Sequence, residues 1–317
     1  MAAELPAFFI IGAPKCGTSA MAYYLAEHPQ VSFSDPKEPY YWASDFPGIR
    51  HQYGVESLSE YLRLFSGPAI SGNLRGEGST LYLASATAVN SIMEFQPDAK
   101  FIVMLRNPVD LVISAHLQEL SVLNESEPSF MTAWHLQEAR ERGLELPAKC
   151  YEPALLQYRK IARLGFQLDR LFKTVPRDRV HVIFFEDLKS SLPQIYQNLL
   201  SFLGLKHDGR TDFPRVNDAK VPRYRWLTNI LHGRSGVAFS RVLKRRLPTR
   251  MVEMAIHAKR LLANQKAKRP PLAAEFTYHL HCEFRDDVNL LADLTGRDLS
   301  GWQMPVSDSS TANLAKG

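Results

Sequence analysis

Apolar residues along this chain fall into short unbroken runs separated by amphipathic stretches. Phe8–Ile11 is one such run, ending at Gly12, the pattern of a strand buried on both faces. A Gly-containing loop follows, and then apolar residues at helical spacing over Thr18–Glu27. The spacing predicts a strand–loop–helix unit. Ser57-Leu58-Ser59-Glu60 reads as a capping box opening a helix that runs to Phe65. Phe101–Leu105 is a second buried strand ending at Arg106-Asn107-Pro108, with a helix over Val109–Leu120 opened by Pro108 near its first turn. Leu155–Phe172 reads as one long amphipathic helix. Val180–Phe185 is a third strand, followed by Glu186-Asp187 and a helix through Leu203 that Gly204 stops. Strands alternating with helices predict an α/β fold, a central parallel sheet flanked by helices.

Beyond Lys206 the pattern loosens. Pro214, Pro222, Gly233 and Gly236 punctuate residues 206–248, which read as loop-rich and mobile around a site. Helices resume over about Arg250–Leu262 and Leu272–Leu294, and the small polar tail 304–317 reads as disordered. One domain over 1–303 is expected, with an α/β core at 7–205 and a helical, loop-rich part at 206–303.

Composition narrows the classes. With 317 residues, 45% of them hydrophobic, the chain can bury a large core unaided, which excludes a disulfide miniprotein. Cys16, Cys150 and Cys282 lie too far apart for a disulfide framework or a zinc site. No apolar run approaches the ~20 residues of a membrane span. The first residues lack a basic region before the apolar run, so a signal peptide and a membrane span are not expected, and a cytoplasmic protein is. The net charge of +5 is concentrated: residues 241–270 hold ten Lys/Arg and the single acid Glu253, leaving the rest slightly negative. That segment is either a solvated helical face or a surface for an anionic partner. A nucleic-acid partner is not expected.

The chemistry sits first at Gly12-Ala13-Pro14-Lys15-Cys16-Gly17-Thr18-Ser19, between strand and helix. Amides at a helix N-terminus cradle anionic oxygens. The two glycines have the spacing of a Walker A loop, but Thr18 stands where that loop places its Lys, and the lysine comes earlier, at Lys15. The loop therefore suits an anion without suiting an ordinary ATPase. Arg106 emerges at the carboxyl end of a strand, where open α/β sheets bind ligands, and offers a bidentate fork to phosphate. Ser114 lies on the helix that follows.

These residues carry a resemblance. Pro14-Lys15-Cys16-Gly17-Thr18-Ser19 after FFIIGA resembles the 5′-phosphosulfate loop of the sulfotransferases that use PAPS, 3′-phosphoadenosine 5′-phosphosulfate. His28-Pro29-Gln30-Val31 and Lys37-Glu38-Pro39-Tyr40-Tyr41-Trp42 resemble a block of the heparan-sulfate and bacterial branches. Phe101–Pro108 with Ser114 resembles the 3′-phosphate motif, Val180–Leu188 the strand ending in E-D-L, and Leu294–Trp302 the C-terminal end of bacterial members. The resemblance implies that Lys15, Cys16, Gly17, Thr18, Ser19 and Ala20 bind the phosphosulfate end of PAPS. It implies that Arg106 and Ser114 bind the 3′-phosphate, reached also by Lys220 and Arg223 from a segment closing over the nucleotide. Lys15 would stabilise the leaving phosphate, and Glu38 would be the general base for an acceptor hydroxyl. His116 and Glu77 are the rival bases. Gly78 stands where heparan-type enzymes carry Lys, and their flanking cysteines are absent from 206–248, so a heparan-type acceptor is not implied.

The expected reaction moves the sulfuryl group of PAPS to a hydroxyl on a small molecule or carbohydrate, releases 3′,5′-ADP and requires no metal. Two readings stay open beside it, a P-loop kinase or NTPase and a non-catalytic polyanion binder using 241–270.

Overall fold

A computed structural model of the protein describes residues 5–53, 55–65, 73–214, 220–221, 265–266 and 272–303. Its centre is a five-stranded parallel sheet in the order β2-β3-β1-β4-β5, formed by β1 (Phe8–Gly12), β2 (Val31–Phe33), β3 (Leu74–Glu77), β4 (Lys100–Leu105) and β5 (Val180–Phe184). β1 and nearly all of β4 are buried, as their unbroken apolar runs require. The α/β sheet expected from the alternation is present.

β2 and β3 escaped the pattern. β2 has three residues, and β3 reads Leu-Arg-Gly-Glu, with no apolar run to mark it. Gly76 explains part of this. A Cβ there would lie 2.2 Å from the ring of Phe8, so the neighbouring strand leaves no room for a side chain.

Helices flank the sheet: α1 (Thr18–Ala26), α2 (Pro47–Tyr53), α3 (Leu58–Arg63), α4 (Ala88–Phe95), α5 (Pro108–Ser121), α6 (Phe130–His135), α7 (Gln137–Glu141), α8 (Tyr158–Ile161), α9 (Leu164–Thr174), α10 (Leu188–Leu203) and α11 (Ala274–Thr295). Both halves of the capping box are present: Ser57 accepts from the Glu60 amide, and Glu60 reaches back to the Ser57 amide. Gly204 ends α10 in the left-handed region at φ 76°.

The single helix expected over Leu155–Phe172 is not formed. A 3₁₀ turn (Pro153–Leu156), α8 and α9 replace it. Tertiary hydrogen bonds take over the backbone groups a continuous helix would use. Gln137 Oε1 accepts from the Arg159 amide at 2.8 Å, and Gln167 Nε2 donates to the carbonyls of Lys160 and Ile161 at 2.9 and 3.1 Å. Helical periodicity was present, but side chains from elsewhere offered better partners.

α11 packs along α9 and against α5. The Asp287 carboxylate accepts from the amides of Gly165 and Phe166, both at 2.9 Å, at the start of α9. Lys220–Val221 (β6) pairs antiparallel with Gln265–Lys266 (β7), and β6 lies against α5. The expected helix at 250–262, most of the basic segment and the tail from 304 lie outside the described residues. Among those described, no helix is long and apolar enough to cross a membrane.

Candidate active site

The loop after β1 is held by its surroundings. Lys15 and Gly17 both have left-handed backbone, at φ 65° and 86°. Such turns aim successive amides into one concavity. Gly17 caps α1, whose first amides have no carbonyl within the helix to receive them. A Cβ on Gly17 would sit 2.9 Å from Leu188 and 3.1 Å from Phe185, so only glycine lets the loop rest on the junction of β5 and α10. Cys16 is fully buried, and burial pushes its thiol far above the ordinary range. It contributes backbone here, not a nucleophile.

Lys15 Nζ donates to Gln118 Oε1 on α5 at 3.2 Å. Burial, aided by Arg106, draws its pKa below the usual lysine value, while Glu119 and Glu38 oppose the shift. Arg106, at the end of β4, donates to the Lys15 carbonyl at 3.4 Å and to Asp110 at 3.0 Å. Its guanidinium lies 4.7 Å from the centre of the Phe185 ring. Its Nε is buried with no hydrogen-bond partner among the described residues. Ser114 is buried two turns into α5. Two cations and a row of helix-start amides thus converge, an arrangement suited to a multiply charged anion.

The segment carrying Glu38 lies along the end of β3. Ser34 N donates to the Gly76 carbonyl at 3.0 Å, Gly78 N to the Lys37 carbonyl at 2.9 Å, and Tyr40 N to Ser79 Oγ at 3.0 Å. Glu38 keeps 24% of its side chain exposed, and both carboxylate oxygens are engaged. Lys37 Nζ donates to Oε1 at 2.5 Å, and the Tyr40 hydroxyl donates to Oε2. Lys37 Nζ also donates to Thr18 Oγ1 at 3.4 Å, which ties the carboxylate to the anion loop.

The rival bases are committed elsewhere. Glu77 is fully buried and accepts from Ser79 Oγ at 2.5 Å, Tyr61 OH at 2.7 Å and Tyr82 OH at 3.1 Å. Burial pushes its carboxyl up to about 7. His116 packs among the rings of Phe130 and Tyr158, its Nε2 is 2.8 Å from the Glu127 carbonyl, and burial lowers its pKa. Both are structural knots, and neither offers a free face to an acceptor.

The structure therefore brings together Lys15, Thr18, Lys37 and Glu38, with Arg106 reaching the same loop from the end of β4. For Lys220 it gives the backbone only, beside α5; Arg223 lies outside the described residues. Gln118 and Glu119 were not foreseen. Gln118 lies four residues after Ser114 on the same helical face, a spacing that could have marked it. Glu119 is buried, accepts from Asn124 Nδ2 at 3.0 Å, and is pushed up to about 8 by burial.

The chain is similar to known proteins in sequence and in fold. Residues 82–209 match the profile described as Sulfotransferase family. Carbohydrate sulfotransferase 15 of Homo sapiens is 33% identical over 154 residues, covering 36% of this chain and 27% of that protein. Heparan sulfate glucosamine 3-O-sulfotransferase 6 of Homo sapiens is 30% identical over 118 residues, covering 37% and 32%. The chain thus spans about a third or less of the length of these curated relatives. A crystal structure of a sulfotransferase from Alicyclobacillus acidocaldarius superposes with a TM-score of 0.68 at 26% identity, over 94% of this chain and 99% of that one. Profile, relatives and whole-chain superposition converge: residues 82–209 match the sulfotransferase family, and the fold over nearly the whole chain is similar to that of a bacterial sulfotransferase.

Proposed function

We propose that the protein transfers the sulfuryl group of PAPS to an acceptor hydroxyl and releases 3′,5′-ADP, with Glu38 as general base. The observation that carries this reading is the Lys37 bridge. It holds a solvent-reachable carboxylate against Thr18 of the anion loop. That nearness supports a direct transfer, in which an acceptor oxygen beside Glu38 would attack a phosphosulfate held by the loop.

The bonds follow from that placement. The acceptor oxygen bonds to sulfur, the bond from sulfur to the bridging phosphate oxygen breaks, and the hydroxyl proton passes to Glu38. Negative charge grows on the departing phosphate, where Lys15 and the amides of Gly17, Thr18 and Ser19 stabilise it. Arg106, Ser114 and Lys220 are the residues we assign to the 3′-phosphate, with Arg223 joining from the segment beyond β6. Carbohydrate and heparan sulfate enzymes among the relatives favour a sugar hydroxyl as acceptor, with a small-molecule hydroxyl as the other option.

Comparing 3′,5′-ADP with ADP by calorimetry tests the donor. Strong preference for 3′,5′-ADP is expected. A Mg²⁺-dependent preference for ATP would overturn this reading in favour of a P-loop kinase. Indifference to both, with salt-sensitive binding of a polyanion, would favour the basic segment instead. Sulfate transfer from PAPS across a panel of sugar and phenol acceptors then identifies the substrate.

A further inference from the structure

Lys37 lies at a junction that neither the anion loop nor the base fully explains. Its Nζ is within hydrogen-bonding distance of Thr18 Oγ1, at 3.4 Å, and of Glu38 Oε1, at 2.5 Å. The side chain is 24% exposed, so the amine is sheltered yet reachable. Its path depends on Gly78. A Cβ there would stand 2.9 Å from Lys37 Cε, 3.4 Å from Cγ and 3.3 Å from the tip of Phe33. Gly78 is also pinned to the same residue, its amide donating to the Lys37 carbonyl at 2.9 Å. The bare α-carbon is the floor over which the lysine stem runs toward Thr18.

We propose that Lys37 is a catalytic residue whose amine contacts the equatorial oxygens of the sulfuryl group in transit, and that Gly78 is the positioning residue that clears its path. This rests on the reading of the site as a PAPS-dependent sulfotransferase with Glu38 as base. In that reading sulfur moves from the loop side to the Glu38 side. A cation touching both sides stands beside the line of transfer. Lys15 and the loop amides are aimed at the phosphate that leaves, and Arg106 at the far end of the nucleotide. Among these groups Lys37 alone is shared between loop and base, and it could exchange Thr18 and Glu38 for sulfuryl oxygens without a change of fold.

PAPS carries the sulfuryl group and 3′,5′-ADP does not, so Lys37 should discriminate between them. Binding of both would be measured by calorimetry for the wild type, Lys37→Met and Gly78→Ala, at one salt concentration. Lys37→Met should weaken PAPS about 10–100-fold, the range for a lost hydrogen bond to a charged group, and leave 3′,5′-ADP within about twofold. Gly78→Ala keeps the amine and shifts only the stem, so it should lower the same ratio to a smaller extent. If Lys37→Met weakens both ligands alike, or neither, the proposal is overturned and the lysine merely tethers Glu38. If Gly78→Ala leaves the ratio at its wild-type value while Lys37→Met lowers it, the role given to Gly78 is wrong. Failure of the parent reading looks different. A wild type that binds neither ligand removes the donor, and Lys37 with it. A Glu38→Gln variant that turns over normally removes the base but leaves the binding ratio to decide on Lys37.

Discussion

The loop after β1 and the segment carrying Glu38 meet at Thr18, yet they are held by different means. The loop is shaped by backbone and burial: left-handed Lys15 and Gly17, a glycine pressed on Phe185 and Leu188, and a helix start aimed inward. Glu38 is shaped by side-chain hydrogen bonds from Lys37 and Tyr40, on a segment laced to the end of β3. The difference suits the tasks assigned to them. A developing phosphate charge is best met by dipoles that need not move. A base must accept a proton and release it, so its partners should be able to rearrange.

The largest effect should come from the base. Glu38→Gln keeps the shape and loses the basicity, and kcat should fall by ~10²–10⁴ with 3′,5′-ADP affinity nearly unchanged. The contrast breaks if nucleotide affinity falls in step with turnover. His116→Ala and Glu77→Gln are the controls. A dead His116→Ala enzyme that still folds would move the base to α5.

Next comes the loop. Lys15→Ala should cost ~10²–10³ in kcat, the scale for losing one preorganised donor. Near-normal turnover in single-turnover assays would take Lys15 out of the chemistry.

Arg106→Ala should act chiefly on binding, because the 3′-phosphate is unchanged by transfer. The preference for 3′,5′-ADP over 5′-AMP should shrink by about 10–100-fold, as expected for a charged hydrogen bond lost. A preference that survives assigns the 3′-phosphate to another residue.

The smallest effect is on stability. Glu119 titrates at about 8 in the folded protein against an ordinary 4.5. The folded state therefore keeps a proton that the unfolded chain releases, and stability falls as pH rises between about 4.5 and 8. Glu77, pushed up to about 7, contributes in the same sense. Urea midpoints measured at pH 5 and 8 should show this loss, and Glu119→Gln should reduce it. An unchanged slope in that variant would mean that Glu119 is ionised throughout.

Sequence by itself determined the parts whose signal is local. β1 and β4 are covered on both faces, so their residues had to be continuously apolar. The anion loop needs its glycine and lysine within a few residues, and Arg106 follows β4 directly. Tertiary structure decided the rest. β3 carries a polar residue on either side of a glycine, because Phe8 fills the space beside it and three hydroxyls satisfy the buried Glu77. Those hydroxyls come from Tyr61, Ser79 and Tyr82, which no spacing rule joins to a carboxylate. The difference in exposure between Glu38 and the buried Glu77 and His116 was likewise a tertiary matter. Residue type makes all three competent bases, but burial and partners are properties of the packed chain, and only packing leaves Glu38 facing the loop.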